Sequence, residues 1–134
     1  MVLVDTSVWI EVFRRRPRLR LEDIVDFDDI ATCLPVVQEV LQGFDEEAAF
    51  LLARGAMHAL PIVESPLRLT VFDDAVSLYR SARRAGLTVR SGVDCLIAAC
   101  ALRNSLQVLH CDRDFDVLAR VSSLDARNVS LQTR

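Results

Sequence analysis

Short runs of consecutive apolar residues alternate along this chain with longer stretches in which apolar positions recur every three or four residues. Val2-Leu3-Val4 opens the series and is closed by Asp5-Thr6-Ser7, a pattern that reads as a buried strand delivering the chain to a helix start. A helix is predicted from about Val8 to Arg15, a brief second one over Leu21 to Val25, and a strand over Ile30-Ala31-Thr32-Cys33-Leu34. Pro35 fits the first turn of the next helix, which carries Val36, Val37, Val40, Leu41 and Phe44 at helical spacing. A further helix is expected from Glu46 to Ala59, with Ile62-Val63 as a short strand after it. From Pro66 to Ala85 an amphipathic pattern places Leu69, Phe72, Ala75, Val76 and Tyr79 on one stripe, ended by Gly86 as a C-terminal stop. Ser91-Gly92-Val93-Asp94 opens a helix that is apolar nearly all round through Leu102, and so central. Gln107 to Cys111 reads as a buried strand, Asp112 to Arg120 as a helix and Val129 to Leu131 as a terminal strand.

Strands alternating with helices imply an α/β fold, with a parallel sheet covered on both faces through right-handed crossovers. A chain of 134 residues has room for one such core, so a single domain over 1–134 is expected. In these sheets ligands bind at the carboxyl ends of the strands. That rule selects Asp5 and Asp112, which each follow a predicted strand.

Composition narrows the picture further. With 51% apolar and 26% charged residues the chain has the make-up of a folded domain. The opening apolar run is broken at Asp5, far too early for a signal peptide or a membrane span, so a cytoplasmic protein with no membrane partner is expected. Cys33, Cys95, Cys100 and Cys111 form no C-x-x-C pair, and His58 and His110 stand in no zinc-ligand spacing, which favours free thiols. The net charge of −3 argues against a surface coated in positive potential, yet all sixteen basic residues are arginine, and Arg14, Arg15, Arg16, Arg18 and Arg20 are crowded together. Guanidinium forks suit phosphate oxygens or an acidic partner, and a solvated helix end accounts for the cluster equally well.

Most of the nineteen acidic residues keep polar company, as in Asp28-Asp29 and Asp45-Glu46-Glu47. Four do not: Asp5 ends an apolar strand, Glu39 is the lone acid among Val36, Val37, Val40 and Leu41, Asp94 precedes an apolar helix, and Asp112 follows Val108-Leu109-His110-Cys111. Singly, each has a structural explanation, helix capping at ~1 kcal/mol apiece for the aspartates and a favourable helix dipole for Glu39. Together they ask for more. Carboxylates converging to about 4 Å repel by roughly 4 kcal/mol per pair at an effective dielectric of ~20, so a cluster needs protons or cations. Hard oxygen ligands suit Mg²⁺ or Mn²⁺, which can activate water and stabilise a leaving oxygen in phosphodiester cleavage. No Walker loop, G-x-G-x-x-G or Ser-His-Asp arrangement competes.

Val2-Leu3-Val4-Asp5-Thr6-Ser7-Val8-Trp9-Ile10, Glu39, Asp94-Cys95-Leu96-Ile97-Ala98-Ala99 and His110-Cys111-Asp112-Arg113-Asp114-Phe115 together resemble the four acidic motifs of PIN-domain proteins, specifically VapC-type toxins. The resemblance runs in order from residue 2 to about residue 120. It implies a three-layer α/β/α sandwich with a mainly parallel sheet, and an endoribonuclease in which Asp5, Glu39, Asp94 and Asp112 hold one or two Mg²⁺ or Mn²⁺ ions and leave 5′-phosphate and 3′-hydroxyl ends. By the same resemblance Asp114 is an auxiliary or outer-shell ligand, with a solvated acid at the helix start as its plainer role. Thr6 corresponds to a small hydroxyl that orients a ligand or water, with helix capping as its plainer role, shared with Ser7. Arg90 is a candidate phosphate contact or a solvated loop arginine. His110 reads as a satisfied strand-end histidine, and Trp9, Phe13 and Phe44 as core or interface. The implied partners are an RNA substrate, a VapB-type antitoxin and a second copy of the chain in a homodimer.

Two alternatives stand beside this reading. A non-catalytic PIN-like module would bind RNA or protein through the same fold with its capping acids, and Glu39, which lies in no strand-end cap, speaks against it. A haloacid-dehalogenase-type phosphotransferase also starts with a strand-end aspartate but needs a second aspartate two residues on, where this chain has Ser7.

Overall fold

The computed structural model describes residues 1–130. Strands β1 (Val2–Val4), β2 (Ile30–Cys33), β3 (Ile62–Val63), β4 (Gln107–His110) and β5 (Ala126–Asn128) form one sheet in the order β3-β2-β1-β4-β5. Every pairing is parallel. Helices α1 (Thr6–Val12), α2 (Leu34–Leu41), α3 (Glu47–His58), α4 (Leu69–Arg84), α5 (Gly92–Arg103) and α6 (Arg113–Arg120) connect and cover it.

The sheet grows outward from β1 to β2 and β3, then the chain crosses back to place β4 on the other side of β1. Right-handed crossovers therefore set α1, α2 and α3 on one face and α4, α5 and α6 on the other. Within one layer α1 packs on α2 and α2 on α3, within the other α4 packs on α5 and α5 on α6, and α2 and α5 also meet each other. The three layers expected from the sequence are present. Because strand order reverses between β1 and β4, a crevice opens at their carboxyl ends.

Leu3 and Val4 of β1, flanked by Ala31 on one side and Val108 and Leu109 on the other, are completely buried, as a central parallel strand covered on both faces requires. Helix α5 buries Cys95, Ile97, Ala98, Ala99, Cys100 and Ala101, and its small side chains let α4 pack closely against it. Cys33, Cys95 and Cys100 are buried thiols and Cys111 is half-buried, all unbridged.

Several boundaries differ from the sequence reading. Helix α1 starts at Thr6 because Asp5, not Thr6 or Ser7, is its N-cap, and it ends at Val12, so the arginine cluster lies beyond the helix in exposed chain. Leu21 to Val25 forms only a single 3-10 turn, Leu21–Asp23. The last strand is Ala126–Asn128, earlier than expected. Its polar residues lack the apolar pattern of a strand because it lies at the sheet edge, and Leu131 is outside the described residues.

The largest correction concerns α4. Val71, Ala75, Leu78 and Ala82 face the core, while Leu69, Phe72, Val76 and Tyr79 of the expected stripe are exposed. Two apolar stripes run side by side on this helix, and the one with smaller residues wins because it permits the close approach to α5. Gly86 follows with φ +74°, the left-handed position that ends the helix.

This assignment separates two leucines one helix face apart. Leu78→Ala should cost about 2–5 kcal/mol in urea unfolding, and Leu69→Ala no more than about 0.5 kcal/mol. Equal losses would return the core to the outer stripe.

Candidate active site

The end of β1 is tied to the end of β4 through side chains of the first helix. Asp5 N–H donates to the Leu109 carbonyl at 2.9 Å, extending the parallel ladder by one residue. Its carboxylate Oδ2 caps α1 by accepting from Ser7 N–H at 3.0 Å and also accepts from the Ser7 hydroxyl. That hydroxyl in turn accepts from Cys111 N–H at 2.9 Å. Ser7 is thus a bridge between Asp5 and the chain leaving β4, a role that its reading as a helix cap missed and that only the Asp-x-Ser spacing hints at. Next to it, Thr6 Oγ1 donates to Glu39 Oε1 at 2.8 Å, turning the half-buried acid of α2 toward α1.

On the other side of the crevice stand three aspartates. Asp94 lies in the first turn of α5, and Asp112 caps α6 by accepting from Asp114 N–H at 2.9 Å. Carboxylate oxygens of Asp94, Asp112 and Asp114 all fall within 4.8 Å of one another. Asp114 is 1% exposed and is more than the auxiliary acid of the sequence reading: its Oδ2 accepts from Arg90 N–H at 3.1 Å and Ser91 N–H at 3.0 Å, fastening the loop that starts α5. The Arg90 guanidinium reaches over the same acids, with Nη2 3.7 Å from Asp112 Oδ1 and Nε 3.7 Å from Asp114 Oδ1. Its side chain is 64% exposed, so it can reach solvent and ligand alike.

Charge crowding leaves its mark on proton affinity. Burial, joined by the hydrogen bond to Asp114 and the charges of Asp5, Asp112 and Asp114, pushes the Asp94 carboxyl up to about 9. Asp5 rises to about 6, mainly through burial, with Glu39 adding a smaller push against the hydrogen bonds from Ser7 and Thr6. Asp114 moves the other way: burial would raise it, but the Arg90 and Ser91 amides, Asp94 and the Arg90 charge together hold it below the ordinary carboxylate range. Burial and crowding thus favour the protonated form at Asp94, while the surrounding amides and Arg90 favour the carboxylate at Asp114.

Two oxygens in this group are buried without a hydrogen-bond partner, Oδ1 of Asp5 and Oδ2 of Asp94. Leaving such atoms dry and unpaired is costly, and a hard divalent cation satisfies carboxylate oxygens of this kind. The donor set fits a divalent metal. Of the five acids singled out in the sequence, Asp94, Asp112 and Asp114 meet directly. Asp5 acts on Asp94, and Glu39 on Asp5, through their charges. From Glu39 a groove of about 780 Å³ runs past Trp9, Phe13 and Phe44 to Arg14 and Arg15. Trp9 and Phe13 stack with ring centroids 5.6 Å apart, and Phe44 meets Phe13 edge-on.

Asp5 and Asp94 hold protons more tightly in the folded chain than unfolded, where carboxyls release them near 4. The stability this provides is complete below that value and is lost as pH climbs through about 6 for Asp5 and about 9 for Asp94. With a chelator present, Tm should fall steadily from pH 5 to pH 9. Asp94→Asn should remove the upper part of the fall, and millimolar Mn²⁺ should reverse it by occupying the ionised acids. A melting temperature that stays flat across this range in chelator would contradict the burial of these carboxyls.

Residues 2–121 match the family model described as PIN domain. Over 131 residues the chain is 37% identical to ribonuclease VapC11 of Mycobacterium tuberculosis, covering 94% of this chain and 97% of that protein, and the same figures hold for VapC ribonuclease Mb1587 of Mycobacterium bovis. Among solved structures, VapBC2 from Rickettsia felis, bound to a DNA fragment from its promoter, superposes with a TM-score of 0.75 over 96% of this chain and 98% of that one at 15% identity. An all-parallel five-stranded sheet with acids gathered at its switch point, matched along nearly its whole length, makes this chain a member of the PIN-domain family.

Proposed function

We propose that the chain is the endoribonuclease of a toxin-antitoxin pair, a hydrolase that cuts RNA at an acidic divalent-metal centre and leaves 5′-phosphate and 3′-hydroxyl ends. The observation that carries this reading is the pair of orphaned oxygens on Asp5 and Asp94 beside the Asp94-Asp112-Asp114 trio. Resemblance to relatives named as VapC ribonucleases, at 37% identity, supplies the substrate class.

Asp5, Glu39, Asp94 and Asp112 would hold one or two Mg²⁺ or Mn²⁺ ions, with Asp114 steadying the loop at Arg90 and Ser91. When bound, the metal supplies an activated water and charge compensation for the scissile phosphate. Thr6 fixes Glu39, and Ser7 fixes Asp5, so that the two acids keep their geometry. Arg90, placed over Asp112 and Asp114 on an exposed side chain, can turn its guanidinium to a phosphate oxygen of the bound strand. The groove from Glu39 to Arg14 and Arg15 has an apolar floor of Trp9, Phe13 and Phe44 and a rim of mixed charge, with Asp45 and Glu46 facing the two arginines, so only its arginine end suits the phosphates of a strand.

The expected partners follow from the same surfaces. An acidic centre suits a VapB-type antitoxin that inserts a cationic side chain. The exposed Phe72, Val76 and Tyr79 of α4, with Val93 and Leu96 of α5, line an apolar depression of about 510 Å³. Such a patch suits a homodimer contact. No helix among the described residues is long and apolar enough to cross a membrane.

Asp5→Asn and Asp94→Asn should each reduce RNA cleavage to the level of chelator-treated protein while the folded state persists by circular dichroism. Retained cleavage in both would end the metal-centre reading. Arg90→Ala should raise KM for RNA about tenfold, ~1.4 kcal/mol, with kcat less affected. Val76→Glu should yield monomers in sedimentation if α4 forms the dimer contact.

A further inference from the structure

His110 lies at the end of β4, two residues before Asp112, and is completely buried. Its ring packs against Phe115 with centroids 5.3 Å apart. The Asp112 backbone N–H donates to His110 Nδ1 at 3.2 Å. A backbone amide can only donate, so Nδ1 must be the bare nitrogen of the ring and Nε2 the protonated one. On the far side, Nε2 lies 3.4 Å from Asp116 Oδ1, too loosely aligned to count as a formed hydrogen bond but close enough to favour the proton on that nitrogen. Asp116 is itself held by Asn128 Nδ2 at 3.3 Å, from β5.

Asp112 is thereby gripped at its own amide as well as at its side chain, where Oδ1 accepts from Asp114 N–H. Resting on the metal-centre reading given above, we propose that His110 is a positioning residue: its Nδ1 orients Asp112 toward the metal through the backbone, and Asp116 at Nε2 selects the tautomer that allows this. Outer contacts of this kind commonly change metal affinity 10–100-fold without touching the ion.

Two substitutions divide the ring's functions. Asn places an acceptor near the position of Nδ1, and Gln places a donor near that of Nε2. In His110→Asn, Mn²⁺ affinity by calorimetry should stay within about threefold of the unsubstituted protein, and in His110→Gln it should fall at least about tenfold. A merely structural histidine would lower Tm in both and leave the two affinities alike, and that result overturns the proposal.

Nitrogen NMR of histidine-labelled unsubstituted protein tests the hydrogen bond even where a variant does not fold. The His110 Nδ1 resonance is expected in the range of an unprotonated nitrogen, and a protonated Nδ1 overturns the proposal. If the unsubstituted protein binds no Mn²⁺, the metal-centre reading fails and the metal-directed role of His110 fails with it. A bare Nδ1 in that case leaves only the hydrogen bond to Asp112 standing. Intact Mn²⁺ binding with a protonated Nδ1 sinks the His110 proposal alone.

Discussion

Negative charge gathered in a partly buried crevice is the constraint that organises this molecule. Asp94, Asp112 and Asp114 come within 4.8 Å of one another, where repulsion between ionised acids amounts to several kcal/mol per pair at an intermediate dielectric. The surrounding structure answers with donors: the Ser7 amide and hydroxyl on Asp5, the Thr6 hydroxyl on Glu39, the Asp114 amide on Asp112, and the Arg90 and Ser91 amides on Asp114. What the donors leave over falls on the Arg90 guanidinium and on the raised proton affinity of Asp94.

Those donors are available only because of the topology. Parallel strands β1 and β4 end side by side at the point where strand order reverses, and α1 and α6 start there, presenting the unpaired amides of their first turns. The first turn of α5 joins them through the clamp on Arg90 and Ser91. Fold and charge are thus coupled: the sheet brings the acids together, and the helix starts make their proximity tolerable.

Much of this arrangement is legible in the sequence, for physical reasons. Val2-Leu3-Val4 and Gln107 to His110 are strands because continuous apolar runs fit only a sheet covered on both faces, and the aspartates after them mark its carboxyl edge. Glu39 stood out as an acid on an apolar face. The α4 stripe misled because hydrophobicity alone cannot choose between two neighbouring apolar faces, and the choice depended on how closely α5 could approach. β5 escaped because an edge strand of Ala126, Arg127 and Asn128 carries no pattern. Asp114 and Ser7 were undervalued for a related cause: their weight comes from backbone amides distant in sequence, at Arg90, Ser91 and Cys111, which no local spacing reveals.

The span of the centre along the polypeptide sets when it comes into being. Its acids run from Asp5, almost the first residue, to Asp114, and the amides of Arg90 and Ser91 are fixed only after α6 has docked. A growing chain on the ribosome therefore carries no complete centre until the stretch from Asp5 through α6 has emerged, so the order of synthesis itself postpones assembly of the acidic cluster.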